Sequence, residues 1–134
     1  MLQPFTGLLN GLTSLLFPER DAIALVQLLL DAGRDWGELS TAEQTVLAEV
    51  GNIVLNTVTA VVADRMETRL KIGLPIVLLK QAAPEMVIAL LGAAPQADHA
   101  LVLVSHLAIA EVEMEAYLLV LLPEEALWRL LARL

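Results

Sequence analysis

From Ser40 to Arg69 the chain carries no proline and a single glycine, Gly51. Ser40-Thr41-Ala42-Glu43 has the spacing of a capping box, in which a serine hydroxyl and a glutamate carboxylate satisfy the free N–H groups of a helix start. The prediction is one long helix from Ser40 to about Arg69. A helix of that length constrains the rest of the chain, which must supply a second layer to bury one of its sides. Gly51 costs a helix interior roughly 1 kcal/mol relative to alanine. Its presence points to close packing of another element at that turn.

The remaining segments read as short elements around this helix. Residues 5–17 are expected to form a strand, clearest from Leu12 to Phe17, where the pattern alternates after Gly7 and Gly11. Pro18, Glu19 and Asp21 open a helix that Gly33 stops, and residues 33–39 form a loop. Residues 70–80 read as a strand, with Pro75 at an edge or a strand start. Pro84 and Glu85 open a short helix ending at Gly92. Two strands follow, Ala100 to Ala110 and then the alternating run Glu111 to Leu121, joined as a hairpin. Pro123-Glu124-Glu125 opens a final helix to Leu134. The order β-α-α-β-α-β-β-α predicts an α+β fold: a mostly antiparallel sheet with the long helix packed on it.

With 134 residues the chain is the size of one domain. Sixteen acidic against eight basic residues give a net charge of −8, which disfavours nucleic acid as a partner. The absence of cysteine removes disulfides, thiolate metal sites and thiol nucleophiles. The first residues lack the basic start of a signal peptide. Glu49, Asn52 and Asn56 interrupt the densest apolar stretch, so no membrane span is expected. The 57% hydrophobic content exceeds what a small domain readily buries, and a subunit interface is the simplest place for the excess.

The long helix carries a polar stripe. Thr45, Glu49, Asn52 and Asn56 are spaced four, three and four apart, which places them on one side. Ala42, Ala60 and Ala63 extend the stripe and keep it low. Leu47, Val54, Val58 and Val62 lie opposite and are expected to face the core. Any amphipathic helix has a polar side, but asparagine is a mediocre helix former and its presence mid-helix needs a reason.

Leu47-Ala48-Glu49-Val50-Gly51-Asn52-Ile53 resembles the signature of the CheC/CheX/FliY family of chemotaxis phosphatases. In that family an acid or serine precedes the glutamate by four residues. An asparagine follows the glutamate by three, and a proline follows the asparagine by twenty-three. Glu49, Asn52 and Pro75 match, and Thr45 stands where aspartate or serine is usual, keeping a hydroxyl. Phe5-Thr6-Gly7 through Phe17 and Ile72-Gly73-Leu74-Pro75-Ile76-Val77 extend the likeness over most of the chain. It implies a single CheC-like domain over residues 1–134, similar to the later half of CheC or to CheX without its N-terminal helix. The usual paired motif is then expected to be recreated in a homodimer.

The resemblance implies a cytoplasmic phosphatase for the aspartyl phosphate of a CheY-type response regulator. The partner would bring the phosphoaspartate, Mg²⁺ and a lysine, and this chain would need no cofactor of its own. Asn52 would orient the attacking water, and Glu49 would pair with the partner's lysine. Thr45 would contribute at the rim of the partner contact, and Asn56 would be peripheral to it. The alternative is a non-catalytic adaptor that keeps the helix as a docking surface for a receiver domain or a CheD-like protein. A third reading makes the ExxN spacing fortuitous.

Other constellations are weaker. His99 and His106 fall on opposite faces of one predicted strand, which leaves no shared metal site. Glu111, Glu113 and Glu115 read as a solvated strand face or an edge guard. Ser14, Ser40 and Ser105 lack a nucleophile elbow. Trp36 and Trp128 are expected to anchor loop and terminal-helix packing.

Overall fold

The computed structural model describes residues 1–30, 39–79, 83–109 and 111–134. The fold is α+β, with a five-stranded antiparallel sheet and four helices. In chain order these are β1 (Leu2–Gly7), β2 (Gly11–Leu16), α1 (Glu19–Leu30), α2 (Thr41–Arg65), β3 (Leu70–Ile72), α3 (Ala83–Ala93), β4 (His99–Ile109), β5 (Val112–Leu122) and α4 (Glu124–Leu131). The sheet order is β3-β1-β2-β5-β4.

Where one strand was expected over residues 5–17, the chain forms a hairpin. Leu2–Gly7 pairs with Gly11–Leu16, placing Phe5 opposite Gly11 and Leu2 opposite Ser14. Pro4 obscures β1 in the sequence, because proline cannot donate to a ladder. Its missing N–H lies on the side facing β3, since its carbonyl accepts from Gly73 N on that side. Pairing breaks there: β3 ends at Ile72 and resumes only at the Leu2–Ile76 bridge. The strand expected over residues 70–80 is therefore a three-residue edge strand, and Pro75 lies beyond it.

The capping box at the start of α2 forms as predicted. Ser40 N–H donates to Glu43 Oε2 at 2.6 Å, and Glu43 N–H donates to Ser40 Oγ at 3.4 Å. Ser40→Ala is expected to destabilise the fold by about 1 kcal/mol, read as a lower denaturant midpoint with unchanged slope. The helix ends four residues before the predicted Arg69. Glu67 turns into the left-handed region at φ 49°. Its N–H reaches Asp64 O, and Thr68 N–H reaches Ala63 O. This is a Schellman termination with glutamate where glycine is usual.

The face of α2 that meets the sheet is rotated roughly 60° from the predicted one, at about 100° per residue. Gly51, Leu55, Thr59 and Val62 are buried, whereas Leu47, Val54 and Val58 are only half-buried. Two contacts set this rotation. A side chain at Gly51 would run into Met1 Sδ, the close approach that the glycine signalled. Thr59 Oγ1 lies 3.3 Å from Thr13 Oγ1 of β2 while donating to Leu55 O.

On this face of the sheet, Phe5, Val120 and Leu122 pack with Val62 and Met66 and with Ala126, Leu127 and Leu130 of α4. On the other face, Leu90 and Ala94 at the end of α3 cover Leu2, Leu12 and Leu121. Asp21 of α1 accepts the N–H of Glu115 at 2.8 Å, beyond the point where β2 stops pairing with β5. Among the described residues α2 alone is long and apolar enough, by length and composition, to cross a membrane; its most apolar window has a mean hydropathy of 1.7.

Three further expectations concern the strand glutamates, Trp128 and the segment around Trp36. β5 pairs with β2 only from Tyr117 to Leu121, so Glu113 and Glu115 lie on a stretch whose ladder partner among the described strands is β4 alone, with its other side free of a strand as an edge guard requires; Glu111 sits at the hairpin turn with φ 67°. Trp128 is 60% exposed and donates from Nε1 to Glu124 Oε1 at 3.3 Å, so it does not anchor α4 in the core. Leu127 and Leu130 do that. The helix stop at Gly33, the loop over residues 33–38 and the packing of Trp36 lie outside the described residues.

Candidate functional site

The polar stripe flanks the buried side of α2. Thr45 and Glu49 are exposed, and Asn52 and Asn56 are half-buried. The Thr45 hydroxyl donates to Thr41 O at 2.9 Å, a back-bond within its own helix. Its second lone pair is left to accept. Glu49 forms no ion pair among the described residues. Asn56 makes no hydrogen bond there.

Asn52 is tied to the sheet. Its Oδ1 accepts from Gln3 Nε2 at 3.1 Å, and the same nitrogen donates to Gly73 O at 3.3 Å. One glutamine from β1 thus bridges the motif helix and the segment that leads to Pro75. Through Gln3 the structure ties Asn52 to Gly73, two residues before Pro75. Gly73 is fixed from its other side as well, by its N–H to Pro4 O at 2.8 Å. Sequence reading did not single out Gln3. The only sign of it was a lone amide in an otherwise apolar N-terminal segment.

Apolar side chains surround the polar ones. Ile53, next to Asn52 on the helix, is 66% exposed, and Leu74, between Gly73 and Pro75, is 86% exposed. Glu49, which has no ion-pair partner among the described residues, thus stands beside exposed large apolar side chains. The stripe is not a pocket. Among the described residues two shallow concavities lie elsewhere, one against Ala63, Asp64 and Thr68 and one between α1 and Val112 of β5.

One cluster has metal-ligand chemistry. Asp98, His99 and Glu124 place one ligand atom each within 4.8 Å of one another. Hydrogen bonds account for it: Asp98 Oδ1 lies 3.0 Å from His99 Nδ1 and accepts Glu124 N–H, at the start of α4, at 2.8 Å. The bond from His99 holds the Asp98 carboxyl below its ordinary range and raises the imidazole above its own. His106, seven residues along β4, lies on the opposite face, 3.8 Å from Glu115. Comparison of the chain with protein-family models and with curated protein sequences finds no match.

Proposed function

We propose that this protein is a CheC-like phosphatase that hydrolyses the aspartyl phosphate of a CheY-type receiver domain. The reading rests on one observation above all. Glu49 and Asn52 stand one turn apart on the same side of α2; among the described residues Glu49 is unpaired, and Asn52 has its amide oxygen fixed from behind and its amide nitrogen free.

An acyl phosphate is already reactive, and the receiver holds the Mg²⁺ and lysine that neutralise the departing charge. The remaining task is to hold a water in line with phosphorus, which is positioning rather than base chemistry. A carboxamide does this without ionising. Glu49 supplies the negative charge that pairs with the receiver's lysine. Ile53 and Leu74 add apolar contact around it, and Thr45 and Asn56 lie at the rim.

The test is phosphate release from a phosphorylated, Mg²⁺-loaded CheY-type receiver. Acceleration by the wild-type protein is the expected result. Phosphorylation-dependent binding without acceleration would replace the phosphatase with a receiver-binding adaptor. Neither binding nor acceleration would make the ExxN spacing fortuitous.

The proposal includes a cytoplasmic homodimer. β4 runs along a sheet edge for eleven residues, and no acidic residue, lysine or arginine interrupts His99–Ile109. Val102, Leu103 and Val104 are exposed along it. The opposite edge is blunted: β3 has three residues, including Lys71. Long uncharged edges invite strand pairing, and an antiparallel strand paired with its own copy across a two-fold axis is self-complementary. In a chain of net charge −8, this neutral edge is where two copies approach without repulsion. Sedimentation equilibrium at micromolar concentration is expected to give a dimer mass, and Val104→Lys a monomer. A monomeric wild type would overturn this part of the proposal.

A further inference from the structure

Gln3 is 1% exposed, and its amide is oriented by its surroundings. The end that faces Gly73 meets a backbone carbonyl, which only accepts. That end must therefore be nitrogen. The same nitrogen also faces the Asn52 carboxamide, so the atom that Asn52 turns toward it must be oxygen. The Asn52 nitrogen is consequently turned away from Gln3 and has no hydrogen-bond partner among the described residues. Both amide orientations follow from one backbone carbonyl.

The arrangement carries a cost. Gln3 Oε1 is buried without a hydrogen-bond partner among the described residues. An unmet buried acceptor destabilises a fold, and an apolar side chain of the same shape would avoid it. What glutamine supplies in return is the fixed orientation of Asn52.

We propose that Gln3 is a positioning residue, holding the Asn52 carboxamide so that its N–H groups rather than its oxygen face the bound receiver. The catalytic consequence rests on the receiver-phosphatase reading; the orientation itself does not. An amide N–H donated to one lone pair of the attacking water leaves the other lone pair for phosphorus. As that bond forms, the P–O bond to the receiver's aspartate breaks, the aspartate leaves as a carboxylate, and one of the water's protons passes to a phosphoryl oxygen, leaving inorganic phosphate. A freely rotating asparagine would spend much of its time presenting its oxygen instead. In the wild-type protein Gln3 removes that rotation before the receiver docks, so the ordering is not charged against the transition state.

The experiment compares wild type with Gln3→Met, which keeps the length and shape of the side chain and removes both donors. Turnover is measured against receiver concentration, and the order of the Asn52 side-chain amide is measured by ¹⁵N relaxation without receiver. The expected result is a kcat about 10–100-fold lower, a KM within about twofold of wild type, and a mobile Asn52 amide. If Gln3→Met does not fold, Gln3→Leu takes its place, since it also removes both donors and introduces no buried charge; the same loss of kcat and the same mobile Asn52 amide are expected. Wild-type kcat in a folded variant would overturn the proposal, as would an Asn52 amide that stays equally ordered. If wild type itself releases no phosphate, the phosphatase reading fails, and relaxation alone still decides whether Gln3 orients Asn52.

Discussion

Asn52→Ala is expected to slow phosphate release from a phosphorylated receiver by at least about 100-fold, near 3 kcal/mol in activation free energy. The size follows from what the side chain does. If the receiver supplies the electrostatic stabilisation, positioning of water is most of what the helix adds, and alanine removes it. Binding should change little, because Ile53, Leu74 and Glu49 remain exposed around the vacated position. Glu49→Ala should behave differently and raise the receiver concentration needed for half-maximal rate, since it removes the charge that pairs across the contact. The two variants thus separate chemistry from docking. Full activity in both would remove the mechanism. Loss of Gln3 retains the Asn52 amide but frees it, so its effect should lie between wild type and Asn52→Ala.

Gly11→Ala is expected to destabilise the fold by about 3 kcal/mol, the upper part of the range for overpacking. A Cβ at Gly11 would sit 2.5 Å from Leu121 O and 2.5 Å from Phe5 Cζ. Neither neighbour has room to move. Leu121 is paired with Leu12 in the β2–β5 ladder, and the Phe5 ring is packed with Val62, Met66 and Val120. The strain would therefore fall on the sheet and the α2 interface together. Gly92→Ala in α3 is the matched control. No atom of the described residues lies within 4 Å of its added carbon, and in the last turn of a helix the change gains a part of the roughly 1 kcal/mol it is worth in a helix interior. Denaturant midpoints moving in opposite directions would establish that packing, rather than glycine as such, decides the sign. A Gly11→Ala midpoint equal to wild type would contradict the close contact at β2.

The local signals of helix starts were legible in the chain itself. Ser40 and Glu43 determined where α2 begins because both halves of the capping box lie within one turn. Pro18, Pro84 and Pro123 marked the other helix starts for the same local reason. The side-by-side placement of Glu49 and Asn52 also follows from helical spacing alone. The end of α2 was not legible, because its left-handed residue is Glu67 and no glycine marks the turn. β1 was hidden by Pro4, whose missing donor matters only once it is known which side of the strand faces a break in pairing.

Tertiary structure alone decided which side of α2 is buried. Val54 and Val58 are as apolar as Val62, and hydrophobicity cannot rank them. The contacts of Gly51 with Met1 and of Thr59 with Thr13 select the face. The same is true of the candidate site. Periodicity put Asn52 on a polar stripe, but the orientation of its amide depends on Gln3 and Gly73, which are brought to it from β1 and from the segment after β3. A side chain's position along a helix is set by covalent neighbours and can be read from spacing. The direction of a hydrogen bond is set by whatever the fold places opposite it, and that partner lies forty-nine residues away in the chain.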